Sequence, residues 1–150
     1  MQKHQPPLYR CPFCNIVSGG EDPRTLVWQD ELCIAAIALH QQRNNHGSLV
    51  LFPREHHENL YDLPTKLGAH LFEVTKALSI GVKKSLQCDG VTIRQNNEPA
   101  GGQDVWHYHV HVIPRYSGDR FQFTGAQVMP QEDRIEIAER IRASLGVLNP

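Results

Sequence analysis

Three histidines spaced two apart, His107, His109 and His111, lie in the run GGQDVWHYHVHVIPRY from Gly101 to Tyr116. In an extended chain that period puts all three imidazoles on one face and Tyr108, Val110 and Val112 on the other. At roughly 3.3 Å per residue, neighbouring histidines stand about 6.6 Å apart and the outer two about 13 Å, too wide for one metal ion to take all three from a straight strand. The row therefore predicts a division of labour, against the alternatives of a zinc-binding HxH pair or a chemically idle polar face. The loop leading into it carries Asn96, Asn97, Gly101, Gly102 and Gln103. Such loops bring backbone N–H and amide donors close to an anion, of which phosphate is the first to consider. A neutral imidazole is also a usable nucleophile near pH 7, because its ordinary pKa of about 6.5 leaves most of it unprotonated with one ring nitrogen free.

A second set of candidate ligands lies near the start of the chain. Cys11-Pro-Phe-Cys14 reads either as a redox pair or as half of a zinc site. Redox chemistry needs a helix that lowers the second thiol's pKa, and the following run, ending in SGG, predicts a poor helix start, which favours zinc. Cys33 lies in an apolar run and reads as a core thiol, while Cys88 has no partner visible in the sequence.

The elements that must hold these groups follow from patterning. A chain of 150 residues with 40% hydrophobic content and a net charge of -1 predicts one domain over 1–150 with a core that needs no disulfides. The balanced charge excludes nucleic-acid binding through a broad basic surface. No apolar run of about 18 residues occurs and the N-terminus lacks the apolar core of a signal peptide, so neither a membrane span nor export is expected and the predicted location is cytoplasmic. Residues 1–9, with Pro6 and Pro7, predict a loose arm. Leu26–Trp28, a turn at Asp30-Glu31 and Leu32–Leu39 predict a hairpin, Gln41–Gly47 a polar loop, and Leu49–Phe52 a strand in the middle of a sheet. Leu67, Leu71, Val74, Leu78 and Val82 form one helical stripe between about Pro64 and Leu86, with His70 between stripe positions at a boundary. Gly90–Gln95 returns as a strand, and Ile135, Ile137, Ala138, Ile141 and Leu145 mark an amphipathic helix over Gln131–Leu145. The predicted class is α+β, with about five mainly antiparallel strands, a long packing helix and a C-terminal helix.

The pattern GQDVWHYHVHVIPRY closely resembles the His-x-His-x-His signature of the histidine triad (HIT) superfamily of nucleotide hydrolases and transferases. CPFCNIVSGG, LVLFPREHHENLYDLP and GVTIRQNNEPAGGQ extend the resemblance over nearly the whole chain. It implies a HIT-like fold, a homodimer with two sheets side by side, and a purine nucleotide conjugate as substrate. Similarity to the zinc-containing branch, which includes purine-nucleoside phosphoramidases, implies one structural zinc ion per subunit on Cys11, Cys14, His56 and His107. His109 takes the place of the family's nucleophile, which attacks the α-phosphorus and forms a nucleotidyl-histidine. His111 and Gln103 match phosphate donors, and Asn96 matches a nucleotide-contacting Asn. The sequence departs from the family pattern at three positions: His40 aligns with an acidic residue that holds ribose hydroxyls, Ser48 with a His, and Asp104 with a Ser or Thr that serves the phosphate or the leaving group. The implied function is hydrolysis or transfer at the α-phosphorus of a nucleoside phosphoramidate or related conjugate. Dinucleoside polyphosphate cleavage, or a zinc-stabilised nucleotide-binding regulatory dimer with little turnover, are the alternatives.

Overall fold

Alternation along two central strands organises the molecule, whose computed structural model describes residues 3–146. β1 (Leu26–Gln29) and β2 (Cys33–Ile37) form the expected hairpin, with β3 (His40–Gln42), β4 (Leu49–Pro53), β5 (Gly90–Arg94), β6 (Val110–Arg115) and β7 (Ala126–Val128) following. Five of them make an antiparallel sheet in the order β1-β2-β4-β6-β5. Every residue of β2 and β4 is buried, because both faces of the sheet are covered. Cys33, Ala35, Ile37, Leu49 and Leu51 face one apolar layer. Ile34, Ala36, Val50 and Phe52 face a second, smaller one with Phe13. This is why the sequence shows continuous apolar runs here instead of polar alternation.

The larger layer is closed by α2 (Thr65–Leu86), whose stripe Leu71, Val74, Leu78 and Val82 is buried as expected. The C-terminal helix α3 (Gln131–Leu145) buries Ile135, Ala138, Ile141 and Leu145. It packs on α2 and on β1 and β2 of its own chain. A Cβ at Gly81 would come within 2.7 Å of Leu145 Cδ2, so the absence of a side chain there sets how closely the two helices approach. Cys33 and Cys88 are buried free thiols.

Three expectations need correction. The predicted polar loop Gln41–Gly47 buries Gln41, Asn45 and Gly47 and exposes Arg43, Asn44 and His46. Gln41 donates to the carbonyls of Ala38 and Ser48 at 2.7 and 2.9 Å and accepts from the N–H groups of Gly47 and Ser48. β3 within it pairs with β7 as a separate two-stranded ribbon. The short helix α1 (Pro12–Val17) forms after all, started by Cys11, whose sulfur accepts from the Cys14 N–H at 3.4 Å, and by Pro12 at its first position. Finally, the arm is irregular but anchored. His4 N–H donates to Glu58 Oε1 at 2.6 Å, the His4 ring lies tilted 5.8 Å from the Trp106 ring, and Tyr9 Oη accepts from the backbone N–H of Trp106 at 3.2 Å. Residues 1–2 of that arm lie outside the described residues.

Asn45 is fully buried and donates to Pro114 O at 2.8 Å and to Asp119 Oδ2 at 2.7 Å, tying the loop after β3 to the end of β6. Replacing it leaves two buried acceptors short of a donor, so Asn45→Ala should lose about 1–3 kcal/mol in urea unfolding. The exposed Arg43, changed the same way, should stay within about 0.5 kcal/mol of wild type. Equal losses at the two positions would contradict this role for Asn45.

Candidate active site and metal centre

β6 begins at Val110, so His107 and His109 precede the hydrogen-bonded strand. The alternation still holds. Tyr108, Val110 and Val112 enter the layer under α2, while the imidazoles turn toward the smaller layer. There Phe13 lies 5.7 Å from the His107 ring and 5.1 Å from the His109 ring. Tyr108 N–H donates to His57 O at 2.6 Å, which holds the triad segment against residues 56–58. The row then divides. His107 meets the His56 ring at 4.7 Å, whereas His109 meets the His111 ring at 5.0 Å.

His109 is 3% exposed, and its Nδ1 lies 2.8 Å from the carbonyl of His107. A carbonyl only accepts, so Nδ1 carries the hydrogen and Nε2 keeps a free lone pair. Asp104 Oδ1 is 4.0 Å from that nitrogen. Burial lowers the His109 pKa below its ordinary value, opposed by the hydrogen bond to His107 and by the Asp104 carboxylate. Burial, with His109 and Arg94 adding to it, pushes His111 down to about 4. Both rings are therefore neutral near pH 7.

These groups open on a cleft of about 570 Å³, a size that suits a small organic ligand. Phe13, Leu39 and Val50 give it apolar walls, and His40 and Ser48 line it as well. Two other predicted contacts face elsewhere. Gln103 is buried, donates to Glu58 O at 2.6 Å and Val105 O at 3.0 Å, and accepts from Glu98 N–H at 2.8 Å. Its amide ties the loop to the 58 segment. Asn96 likewise donates to Gly102 O at 2.9 Å and holds the loop's turn. Sequence reasoning missed Arg94, which pairs with His111 across β5 and β6 and lines the cleft. Pairing β5 with the triad strand would have suggested it. Phe121 and Ala126 also line the cleft, but they come from beyond Tyr116, where no local pattern signals them.

Beside the cleft, Cys11, Cys14, His56 and His107 bring their ligand atoms within 4.8 Å of one another. Sγ–Nδ1 distances are 3.3 Å for Cys11 to His107, 3.2 Å for Cys14 to His56 and 3.7 Å for Cys14 to His107. Tetrahedral zinc, with bonds of about 2.3 Å to sulfur and about 2.0 Å to nitrogen, would set such pairs about 3.5 Å apart. The outer nitrogens are fixed too. His107 Nε2 donates to Pro53 O at 2.9 Å and His56 Nε2 to Gln5 Oε1 at 2.9 Å, leaving both Nδ1 lone pairs free. The four residues therefore fit a thiophilic cation. Burial first, and then the adjacent Cys11, push the Cys14 thiol up to about 11, the reverse of what a redox pair needs. Asp30, Cys33 and His70 also cluster, but the Asp30 carboxylate already accepts from Trp28, Leu32, Cys33 and His70, each at 2.8 Å, and holds the hairpin turn.

The HIT domain family model matches residues 19–118, and the chain belongs to that family. Protein hit of Bacillus subtilis is 32% identical over 112 residues, 74% of this chain and 75% of its own length. The adenylylsulfatase HINT3 of Arabidopsis thaliana is 28% identical over 109 residues, 73% of this chain and 54% of that protein. Among solved structures, a zinc-bound histidine triad family protein from Mycobacterium smegmatis superposes with a TM-score of 0.78 at 29% identity, covering 92% of this chain and 94% of that one. No helix of the described residues is long and apolar enough to cross a membrane.

The buried imidazoles give a signed pH dependence. A histidine whose folded pKa lies below its unfolded value leaves the unfolded chain holding more protons between the two, so stability is complete above about pH 6.5 and falls as pH drops toward 4. Urea unfolding between pH 7.5 and 4.5, the scan range being about what the two values bracket, should show this decline. His111→Gln should make it shallower, and an unchanged slope would rule out burial of a neutral His111 as a source.

Proposed function

We propose that the protein is a nucleotide hydrolase or nucleotidyl transferase acting at the α-phosphorus of a nucleoside phosphoramidate or related nucleotide conjugate. The observation that carries this is the orientation of His109: Nδ1 is committed to the His107 carbonyl at 2.8 Å and Nε2 is left bare at the cleft. In this reading Nε2 forms a bond to phosphorus while the bond to the leaving atom breaks. The electron pair departs with the leaving group, which takes up a proton. Water then adds to phosphorus, the P–N bond breaks, its pair returns to Nε2, and the proton from water passes to solvent. Arg94 and the remaining N–H of neutral His111 face the phosphoryl oxygens, donors of a kind that commonly contribute about 3 kcal/mol each to a transition state. Phe13, Leu39 and Val50 receive the nucleoside, a purine by likeness to the family's phosphoramidases, and His40 and Ser48 stand where its ribose would bind. Membership of the HIT family and likeness to an adenylylsulfatase support the class of reaction.

His109→Ala should lower turnover by about 10⁴-fold or more while nucleotide affinity stays within about threefold, because the ring makes its bond only along the reaction path. Turnover of a nucleoside phosphoramidate and calorimetric binding of the matching nucleoside monophosphate read the two quantities. Equal turnover by both proteins would sink the nucleophile role.

We infer a zinc ion on Cys11, Cys14, His56 and His107, supported by their spacing and by the zinc-bound relative. Four protein ligands leave no open position, so its chemistry when bound is to clip α1 to the triad segment. A homodimer is supported by β5, a sheet edge that pairs with β6 on one side only and carries half-exposed Ile93. Native mass spectrometry should find a dimer with one zinc ion per chain. Cys11→Ser/Cys14→Ser should lose the metal and melt at lower temperature, and a metal-free wild-type monomer would contradict both readings.

A further inference from the structure

Asp104 stands apart from every other group around the nucleophile. It is the sole carboxylate among the described residues that line the cleft, where Arg94 is the sole residue of fixed positive charge. Its side chain is 85% exposed, so its charge belongs to the space a substrate would fill and not to the protein's own packing. Its Oδ1 lies 4.0 Å from His109 Nε2. Arg94 enters from β5, whereas Asp104 enters from the loop before β6.

We propose that Asp104 selects the leaving group, favouring conjugates whose departing atom is an amine nitrogen over those whose departing atom is a phosphate or sulfate oxygen. This rests on the function proposed above. In-line attack sets phosphorus about 3–3.5 Å from the attacking nitrogen, so the departing atom lies about 5 Å from Nε2. A carboxylate on an unconstrained side chain 4.0 Å from that nitrogen can reach it. Before the bond from phosphorus to an amine nitrogen breaks, that nitrogen takes up one proton from solvent and becomes positively charged; it then departs with the bonding electron pair as a neutral amine. A phosphate or sulfate oxygen instead gains negative charge as it leaves. The same carboxylate attracts the first and repels the second, and the difference grows toward the transition state, where it affects rate. Opposite unit charges at about 5 Å differ enough, even at the dielectric constant of water, to change a rate ratio by about tenfold.

The test compares two adenylyl donors that differ in the departing group: adenosine 5′-phosphoramidate, which releases nitrogen, and adenylyl sulfate, which releases an anionic oxygen. Wild type should show the higher kcat/KM on the phosphoramidate. Asp104→Asn, which keeps the shape and removes the charge, should lower the ratio of the two kcat/KM values by about tenfold, slowing the first substrate and speeding the second. Added salt should reduce the wild-type ratio and leave that of the variant nearly constant. A merely structural residue would change both substrates by one factor, and that result, or no change at all, overturns the proposal. If wild type turns over neither compound, the nucleotidyl-transfer reading fails by itself. Charge selection is then decided by affinity: a shift in relative binding of the two conjugates between wild type and Asp104→Asn supports it, and no shift overturns it.

Discussion

Everything near the cleft depends on the fully buried His107, each of whose polar groups is committed in a different direction. Its Nε2 donates to Pro53 at the end of β4, its Nδ1 faces Cys11 and Cys14, and its carbonyl accepts from His109 Nδ1. The last of these decides the chemistry. A carbonyl cannot donate, so it fixes which nitrogen of His109 bears hydrogen and turns the lone pair outward. One residue thereby joins the cysteine–histidine cluster to His109 through its carbonyl and its two ring nitrogens.

That arrangement needs the register of the sheet to be unambiguous. A slip of one residue would bring the imidazoles under α2 and Tyr108 into the cleft. The register is secured from both sides. Tyr108, Val110 and Val112 fill the layer under α2, while Phe13 and Phe52 stack at 4.5 Å in the layer that receives the histidines. The same two-sided burial keeps His109 and His111 unprotonated near pH 7. Packing and pKa are thus consequences of one placement.

Periodic features were legible in the sequence because each residue's burial there depends on neighbours two, three or four positions away. The triad alternation, the α2 stripe, the hairpin around Asp30 and the apolar run of β4 are of this kind. The family likeness supplied the long-range grouping of Cys11 and Cys14 with His56 and His107, whose ligand atoms lie within 4.8 Å of one another. What stayed illegible depends on polar groups satisfied far along the chain. Gln41 and Asn45 read as loop residues because their types suit water, yet both are buried against backbone carbonyls. At Gln103 nothing local reveals that Glu58 O, 45 residues earlier, accepts from its amide. The β3–β7 ribbon pairs two three-residue strands more than 80 positions apart, too short and too polar to show a period.

Phe13 connects the two halves of the site physically. It lies between the two cysteines in sequence, forms part of the cleft wall, and contacts the rings of both His107 and His109. The aromatic cover that desolvates His109 is therefore carried on the helix that Cys11 caps. Desolvation is the first cause of the lowered His109 pKa, so the hold on α1 contributes directly to keeping Nε2 free of a proton. Asp104 works against that desolvation, since its carboxylate favours the protonated ring. Its 85% exposure weakens the effect through solvent screening. His109 is thus held neutral by an apolar wall on one side and faces the exposed Asp104 carboxylate on the other.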